Sequence, residues 1–207
     1  MALAEDFLCE IVQKVLDKHA EELETVLERD LEPLRKVQKP FPRVHYDEAV
    51  EQIAAIREET DDPELKRQLE LEWGSDFGSP HETELTKRYD RPIFVHRFPA
   101  AIKAFYMKKD PASPQHALAM DVLAPEGYGE IVGGGQREDD LATLEAGIDH
   151  HELPRESFQW YLDLRRWGSA PHAGFGIGLE RTLAWICGLH HVRETIPFAR
   201  TLDRLRP

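Results

Sequence analysis

The 207-residue sequence predicts an α+β fold in which helices flank part of an antiparallel sheet. Three observations carry this. Apolar residues recur at three- and four-residue steps over residues 3 to 28, the period of a helix with one buried face. From Ile93 the pattern changes to short β-rich runs separated by Pro and Gly. Near the C-terminus a run with glycine at alternate positions leads into an apolar helical stretch.

In the first segment the buried stripe is Leu3, Phe7, Leu8, Ile11, Val12, Val15, Leu16, His19, Leu23, Val26 and Leu27, and the acidic residues between them form a solvated face. Pro33, Pro40 and Pro42 break the chain before YDEAVEQIAAIR, Tyr46 to Arg57, resumes a helical period with Asp47 near its cap. The charged stretch from Glu58 to Glu70 is expected on the surface. Ile93 to His96, Ala104 to Met107, Ala117 to Leu123 and Tyr128 to Val132 read as neighbouring strands of one sheet. After Arg137, the acids Glu138, Asp139 and Asp140 suit the first turn of a helix whose Leu141, Leu144 and Ile148 face inward. The last helix follows Gly174 to Gly178 and carries Trp185, Ile186 and a packed Cys187. Without an internal repeat or low-complexity tract, one domain over residues 1–207 is expected.

Composition narrows the function. With 41% hydrophobic residues the chain can build an ordinary core. Lys plus Arg number 26 against 39 Asp plus Glu, and a formal charge of −13 opposes any general attraction to nucleic acid, so RNA would be met only through a local patch. Cys9 and Cys187 have no CxxC partner, which argues against a disulfide framework or a cysteine zinc site. There is no apolar run of about 18 residues to span a membrane, and MALAEDFLCE is acidic where a signal peptide is basic. A soluble cytoplasmic protein is expected.

Two segments carry chemistry. In GFGIGLER, Gly174, Gly176 and Gly178 strip side chains from one face of a strand, so a flat ligand or phosphate chain can approach the backbone. Arg181 then opens a helix, where a guanidinium and the helix terminus together suit phosphate oxygens. In DVLAPEGYGEIVGGGQR, Asp121 and Glu130 fall on two strands joined by the APEGYG turn, and a hard cation such as magnesium would let both lie beside a nucleotide. Arg137 follows three glycines and can project into the same cavity. The competing readings are a glycine-lined packing contact with a surface Arg181, and an acidic hairpin with a surface Arg137. His150 with His151, and His190 with His191, point apart and lack a third ligand. Trp160 and Tyr161 are expected in the core, and Arg165 and Arg166 in surface ion pairs or at substrate or RNA.

From Arg91 to Pro207 the chain resembles the C-terminal half of the catalytic domain of archaeal-type asparaginyl-tRNA synthetases, class II aminoacyl-tRNA synthetases, with KAFYM, APEGYGEIVGG, QR, YLDLRR, PHAGFGIGLER and HVRETIPF in family order. GLER alone is similar to motif 3 of the whole class; APEGYGE, WICGLHHVRETIPF and KAFYM favour the asparaginyl branch over the aspartyl one. FPRVHYDEA and LEWGSDFGSPHE resemble that branch's linking region more loosely.

The resemblance implies the class II catalytic fold and an ATP-dependent ligase that makes asparaginyl adenylate and transfers asparagine to tRNA(Asn). By it, Arg181 is the motif 3 arginine on the ATP γ-phosphate, and Asp121 and Glu130 hold Mg2+ and through it the phosphates. Arg181 and Glu130 are then the catalytic groups. Gly176 and Gly178 line the ATP site and Gly174 the amino-acid site, Arg137 faces the asparagine side-chain carbonyl, and Tyr106 belongs to the same pocket. Gly135 stands where some relatives carry serine. Motif 1 with its dimer interface, motif 2 and the anticodon-binding domain are not found in these residues, so weak activity alone, and a homodimer or an N-terminal half as partner, are expected. Two other readings remain at this point: a related asparagine synthetase acting on aspartate and ammonia, and a non-catalytic synthetase-like subunit.

Overall fold

The computed structural model describes residues 1–204 and 206. In chain order it contains α1 (Ala2–Thr25), α2 (Glu32–Arg35), β1 (Arg43–His45), α3 (Tyr46–Glu59), α4 (Pro63–Gln68), α5 (Ser79–Thr86), β2 (Ile93–His96), β3 (Lys109–Asp110) and β4 (Ser113–Ala117). β5 (Ala119–Ala124), β6 (Gly129–Gln136), α6 (Leu141–His150), α7 (Arg155–Arg166), β7 (Ala173–Ile177) and α8 (Leu179–Cys187) follow. Among the described residues, no helix is long and apolar enough to cross a membrane.

One sheet runs in the order β1-β2-β5-β6-β7, and β3 pairs separately with β4. Every neighbouring pair in the large sheet is antiparallel except β1 with β2, which is parallel. The sheet is therefore mixed, where the sequence predicted an antiparallel one. The reason is the connection: α3, α4 and α5 intervene between β1 and β2, long enough to return the chain in the same direction.

The two faces are covered unequally. On one face α1 and α8 supply Leu8, Val12, Trp185 and Ile186 to a core with Phe94, Val122 and Val132. On the other, α3 to α5 pack Tyr46, Ile53 and Leu85 against Ile93, Val95 and Leu123. That second cover reaches only the start of β6, where Glu82 of α5 accepts the Glu130 N–H, and leaves the glycines further along β6 and β7 without a helix over them.

α1 has the stripe the sequence predicts, but its backbone leaves helical geometry at His19 (φ −134°, ψ 16°), and Leu3, Val26 and Leu27 are exposed. Glu5 turns inward and accepts the Phe41 N–H at 2.5 Å, fixing α1 to the turn before β1. Residues 58 to 70 are not wholly surface: Asp62 caps α4 through the Glu64 N–H at 2.9 Å, and Leu69 is buried. Ala104 to Met107 form a turn instead of a strand, closed by Met107 N–H to Ala104 O at 2.9 Å. Asp140, expected in the first turn of α6, is its N-cap, accepting from Thr143 N–H at 2.8 Å. Trp160 is 65% exposed, against the expectation of a core residue, because α7 buries Leu162 and Arg165 on another side.

Candidate active site

The register of β5, β6 and β7 builds a bare shelf. Asp121 pairs with Gly133, and Gly133 with Gly176; Ala119 pairs with Gly135, and Gly135 with Gly174. Partners directly opposite share a face of a sheet, so these two rows put one carboxylate and four glycines side by side. A side chain at 176 would meet nothing within 4 Å, and one at 174 only the Arg137 guanidinium at 3.7 Å. Gly134, on the opposite face, is different. Its missing Cβ would strike Gly174 O and Phe175 Cβ, both at 2.6 Å. On the shelf face Gly174 and Gly176 thus serve open space, while Gly135, whose Cβ would lie 2.8 Å from Leu118 O and Met107 Sδ, and Gly134 on the opposite face serve close packing.

Asp121 and Glu130 approach each other over Gly133. A Cβ there would lie 2.5 Å from Glu130 Oε1 and 3.4 Å from Asp121 Oδ1. The pairing of β5 and β6 shifts after Val122, so that Val122 faces Val132 but Leu123 faces Glu130, and this irregularity turns the Glu130 side chain toward the shelf. Arg181, exposed in the first turn of α8, donates to Glu130 O at 2.8 Å. Gly178, the N-cap of that helix, donates to Ile131 O at 2.8 Å, so strand end and helix start are fixed to the same stretch of β6.

At the other end, the Arg137 guanidinium carbon stands 4.9 Å from the centre of the Tyr106 ring, and Arg137 N–H donates to His172 O at 2.9 Å. Glu138 N–H donates to Tyr106 O at 2.9 Å, holding the turn that carries Tyr106 against the end of β6. All eight residues singled out from the sequence therefore border one surface: Asp121, Glu130, Gly178 and Arg181 toward one end, Gly174, Arg137 and Tyr106 toward the other, Gly176 between.

Two further groups belong here. Lys103 Nζ pairs with Asp121 Oδ2 at 2.8 Å and lies 3.7 Å over the Phe98 ring, leaving Oδ1 to face Glu130. Its signal in the sequence is KAFYM, of which it is the first residue. Glu82, on α5, accepts the Glu130 N–H at 3.2 Å and reaches a cleft of about 210 Å³ shared with Ser79, Gly129 and Arg181. It lies in the stretch that resembles a linking region, and only the fold brings it near Glu130. Arg165 is a correction. It is buried, and its guanidinium donates twice to Glu138 O, at 3.0 and 2.8 Å, so it ties α7 to the strand end and touches neither solvent ions nor the shelf.

The electrostatics favour a cation. Burial pushes Asp121 up to about 6 despite Lys103, with Glu130 and Asp76 adding repulsion. Burial likewise raises Glu82 to about 7, against the Glu130 N–H and Arg181, which lower it. Buried carboxylates in excess of their counter-charges gain most from a hard divalent ion, which takes oxygen ligands. Asp121 Oδ1 and Glu130 Oε1 are the donors that fit. A cavity of about 650 Å³ lies off the shelf, between α6 and the turn of Lys103 to Met107, and the shelf itself is an open floor.

Comparison with known proteins places the chain by sequence and by fold. An asparagine--tRNA ligase of Sorangium cellulosum is 60% identical over 208 residues, which cover 100% of this chain and 46% of that protein. One of Koribacter versatilis is 53% identical with the same coverage. The crystal structure of asparaginyl-tRNA synthetase from Pyrococcus horikoshii matches with a TM-score of 0.91 at 44% identity, over 100% of this chain and 46% of that one. The same enzyme complexed with asparaginyl-adenylate matches with a TM-score of 0.91. The chain thus spans about half the length of the relatives it matches. The family of class II tRNA synthetases (D, K and N) matches residues 1–202, and with its glycine shelf, paired carboxylates and flanking arginines in a class II fold, the chain belongs to that family.

Proposed function

We propose that this chain is the C-terminal part of the catalytic domain of an asparagine--tRNA ligase, working with motifs 1 and 2 supplied by an N-terminal half. The observation that carries the reading is the convergence of Asp121, Glu130 and Arg181 beside a shelf floored by Gly133 and Gly176. In this reading ATP lies along the shelf over Gly176 and Gly178. Arg181, already fixed at the Glu130 carbonyl, offers its remaining N–H donors to the γ-phosphate. Mg2+ held by Asp121 and Glu130 would neutralise charge on the phosphates. Arg137, braced on Tyr106, carries donors only and so suits the side-chain carbonyl of asparagine, with Gly174 leaving room beneath it. The asparagine carboxylate attacks the α-phosphate, releasing pyrophosphate and forming asparaginyl adenylate, from which asparagine passes to tRNA(Asn). Catalysis is then electrostatic, without a protein nucleophile. A cytoplasmic location belongs to the same reading and is supported by the two unpaired cysteines.

The test is asparagine-dependent pyrophosphate exchange by the chain alone and with an added N-terminal half, alongside ATP binding. Arg181→Ala is expected to lower ATP affinity below detection. Arg137→Ala is expected to leave ATP affinity within about twofold and to raise the KM for asparagine at least tenfold, the cost of about 1.4 kcal/mol of lost substrate binding. Unchanged ATP affinity in the first variant contradicts the proposal.

A further inference from the structure

Among the described residues, one group of three metal-ligating side chains brings its donor atoms within 4.8 Å of one another, and it is separate from the shelf: His45, Asp47 and His116. His45 ends the edge strand β1, Asp47 stands in the first turn of α3, and His116 is on β4. The shelf is built on β5, β6 and β7, with β2 intervening. Neither KAFYM, APEGYGE nor the glycine-rich strand includes any of the three.

We infer that His45, Asp47 and His116 form a binding site for one borderline transition-metal cation of the Zn2+ class, which fastens α3 and the β3 and β4 pair to the end of the sheet. Spacing is the first argument. A tetrahedral ion with bonds of about 2.0 to 2.1 Å sets its ligand atoms about 3.3 Å apart. Here His116 Nε2 is 3.2 Å from Asp47 Oδ1, His45 Nδ1 is 3.4 Å from the other carboxylate oxygen, Oδ2, and one donor atom from each of the three residues lies within 4.8 Å of the others, so a small adjustment would bring them to that spacing.

The surrounding contacts are those that orient metal ligands. Ser113 Oγ lies 2.9 Å from His116 Nδ1, the ring nitrogen away from the site, and as acceptor it selects the tautomer whose Nε2 lone pair faces inward. Trp73 Nε1–H donates to Asp47 Oδ1 at 2.7 Å and fixes the carboxylate. His45 Nδ1 now accepts the Asp47 N–H at 3.1 Å as the cap of α3, and an ion there would pin the same turn in place of that bond. His116 is buried while Asp47 is half-exposed, which leaves a route of entry on one side.

The donor set also suits such an ion. Arg97, which follows His96 in the chain, is itself paired with Asp110 at 2.5 Å. Two imidazoles and one carboxylate leave a fourth position for water.

The test uses the full chain, stripped with chelator and titrated with Zn2+ for affinity and with Co2+ for its visible absorption. One equivalent should bind, with the intense absorption of four-coordinate Co2+ and a rise in Tm. Asp47→Asn, which keeps size and the Trp73 bond, should weaken Zn2+ binding about 100-fold or more, beyond the usual cost of losing a mere supporting partner, because a direct ligand loses its charge. His116→Asn should do the same, and Asp47→Asn remains decisive if that buried substitution does not fold. Asp121→Asn at the shelf should leave Zn2+ affinity within twofold, as should His150→Ala. No binding tighter than about 1 mM in the unaltered chain, undiminished binding in Asp47→Asn, or loss in either control overturns the inference.

Discussion

Glu82 shows how much one side chain can owe to its surroundings. Its carboxylate lies close to where a Cβ of Gly129 would be, and Gly129 has φ +68°, so both space and backbone require glycine there. Burial raises this acid to about 7 from an ordinary 4.5, which means the folded chain binds a proton that the unfolded chain releases. The sign follows: stability from this group is greatest below about pH 4.5 and is lost as pH rises through 7. Glu82→Gln keeps the acceptor for Glu130 N–H and removes the charge. In metal-free buffer at pH 8 it should therefore stabilise the chain by up to about 3 kcal/mol, since each tenfold gain in proton affinity on folding is worth about 1.4 kcal/mol. The gain should shrink toward zero near pH 4.5, as read by denaturant unfolding across pH. A variant equally or less stable than the parent at pH 8 would show that Glu82 is not held at a cost. Arg165 makes the converse point. Its sequence context reads as a surface cation, yet its bonds to the Glu138 carbonyl and the Tyr161 hydroxyl make it internal structure.

At the level of elements, the facing of β6 and β7 decides what each glycine does. Period two tells that Gly174 and Gly176 share a face, but not which face is covered. Gly176→Ala should leave Tm within about 2 °C, since nothing lies within 4 Å, while lowering ATP affinity by placing a methyl on the shelf. Gly134→Ala meets the backbone and Cβ of the β7 strand at 2.6 Å and should cost about 2 to 3 kcal/mol, or roughly 4 to 12 °C in a chain this long. Thermal melts and ATP titrations of the pair separate the two roles, and equal melting points would contradict the assignment of faces. Strand and helix existence was legible where period and punctuation agreed, as for β2, β5, β6, α3 and α8. It failed at Ala104 to Met107, where a short apolar run reads the same as a strand or a packed turn.

For the molecule as a whole, the sheet is held by unlike covers. α1 and α8 close one face, α3 to α5 close part of the other, and the uncovered remainder is the shelf. Trp185 is the largest fully buried side chain among the described residues and sits in the first of these cores. Its indole N–H is buried without a partner. Trp185→Ala should cost about 3 to 5 kcal/mol, lowering Tm by roughly 6 to 20 °C. Trp185→Phe should cost much less, because the lost volume is offset by removing an unsatisfied donor. Similar losses in both variants, measured by urea denaturation, would mean that the N–H is satisfied after all.

What the sequence determined by itself is the local alphabet of this protein: one amphipathic helix at the start, β-rich runs after Ile93, a glycine strand leading to Arg181, and ordered motifs sufficient to reveal the family. These follow from periodicity and turn chemistry, which act between near neighbours in the chain. Tertiary structure alone decided that β1 runs parallel to β2, that the glycine face lies bare, that Lys103 and Glu82 reach Asp121 and Glu130, and that His45 and Asp47 meet His116, the last two across 69 residues. Such contacts depend on strand register and on which helix covers which face. Those are set by the summed burial of distant apolar residues, a long-range quantity that no short stretch of sequence contains.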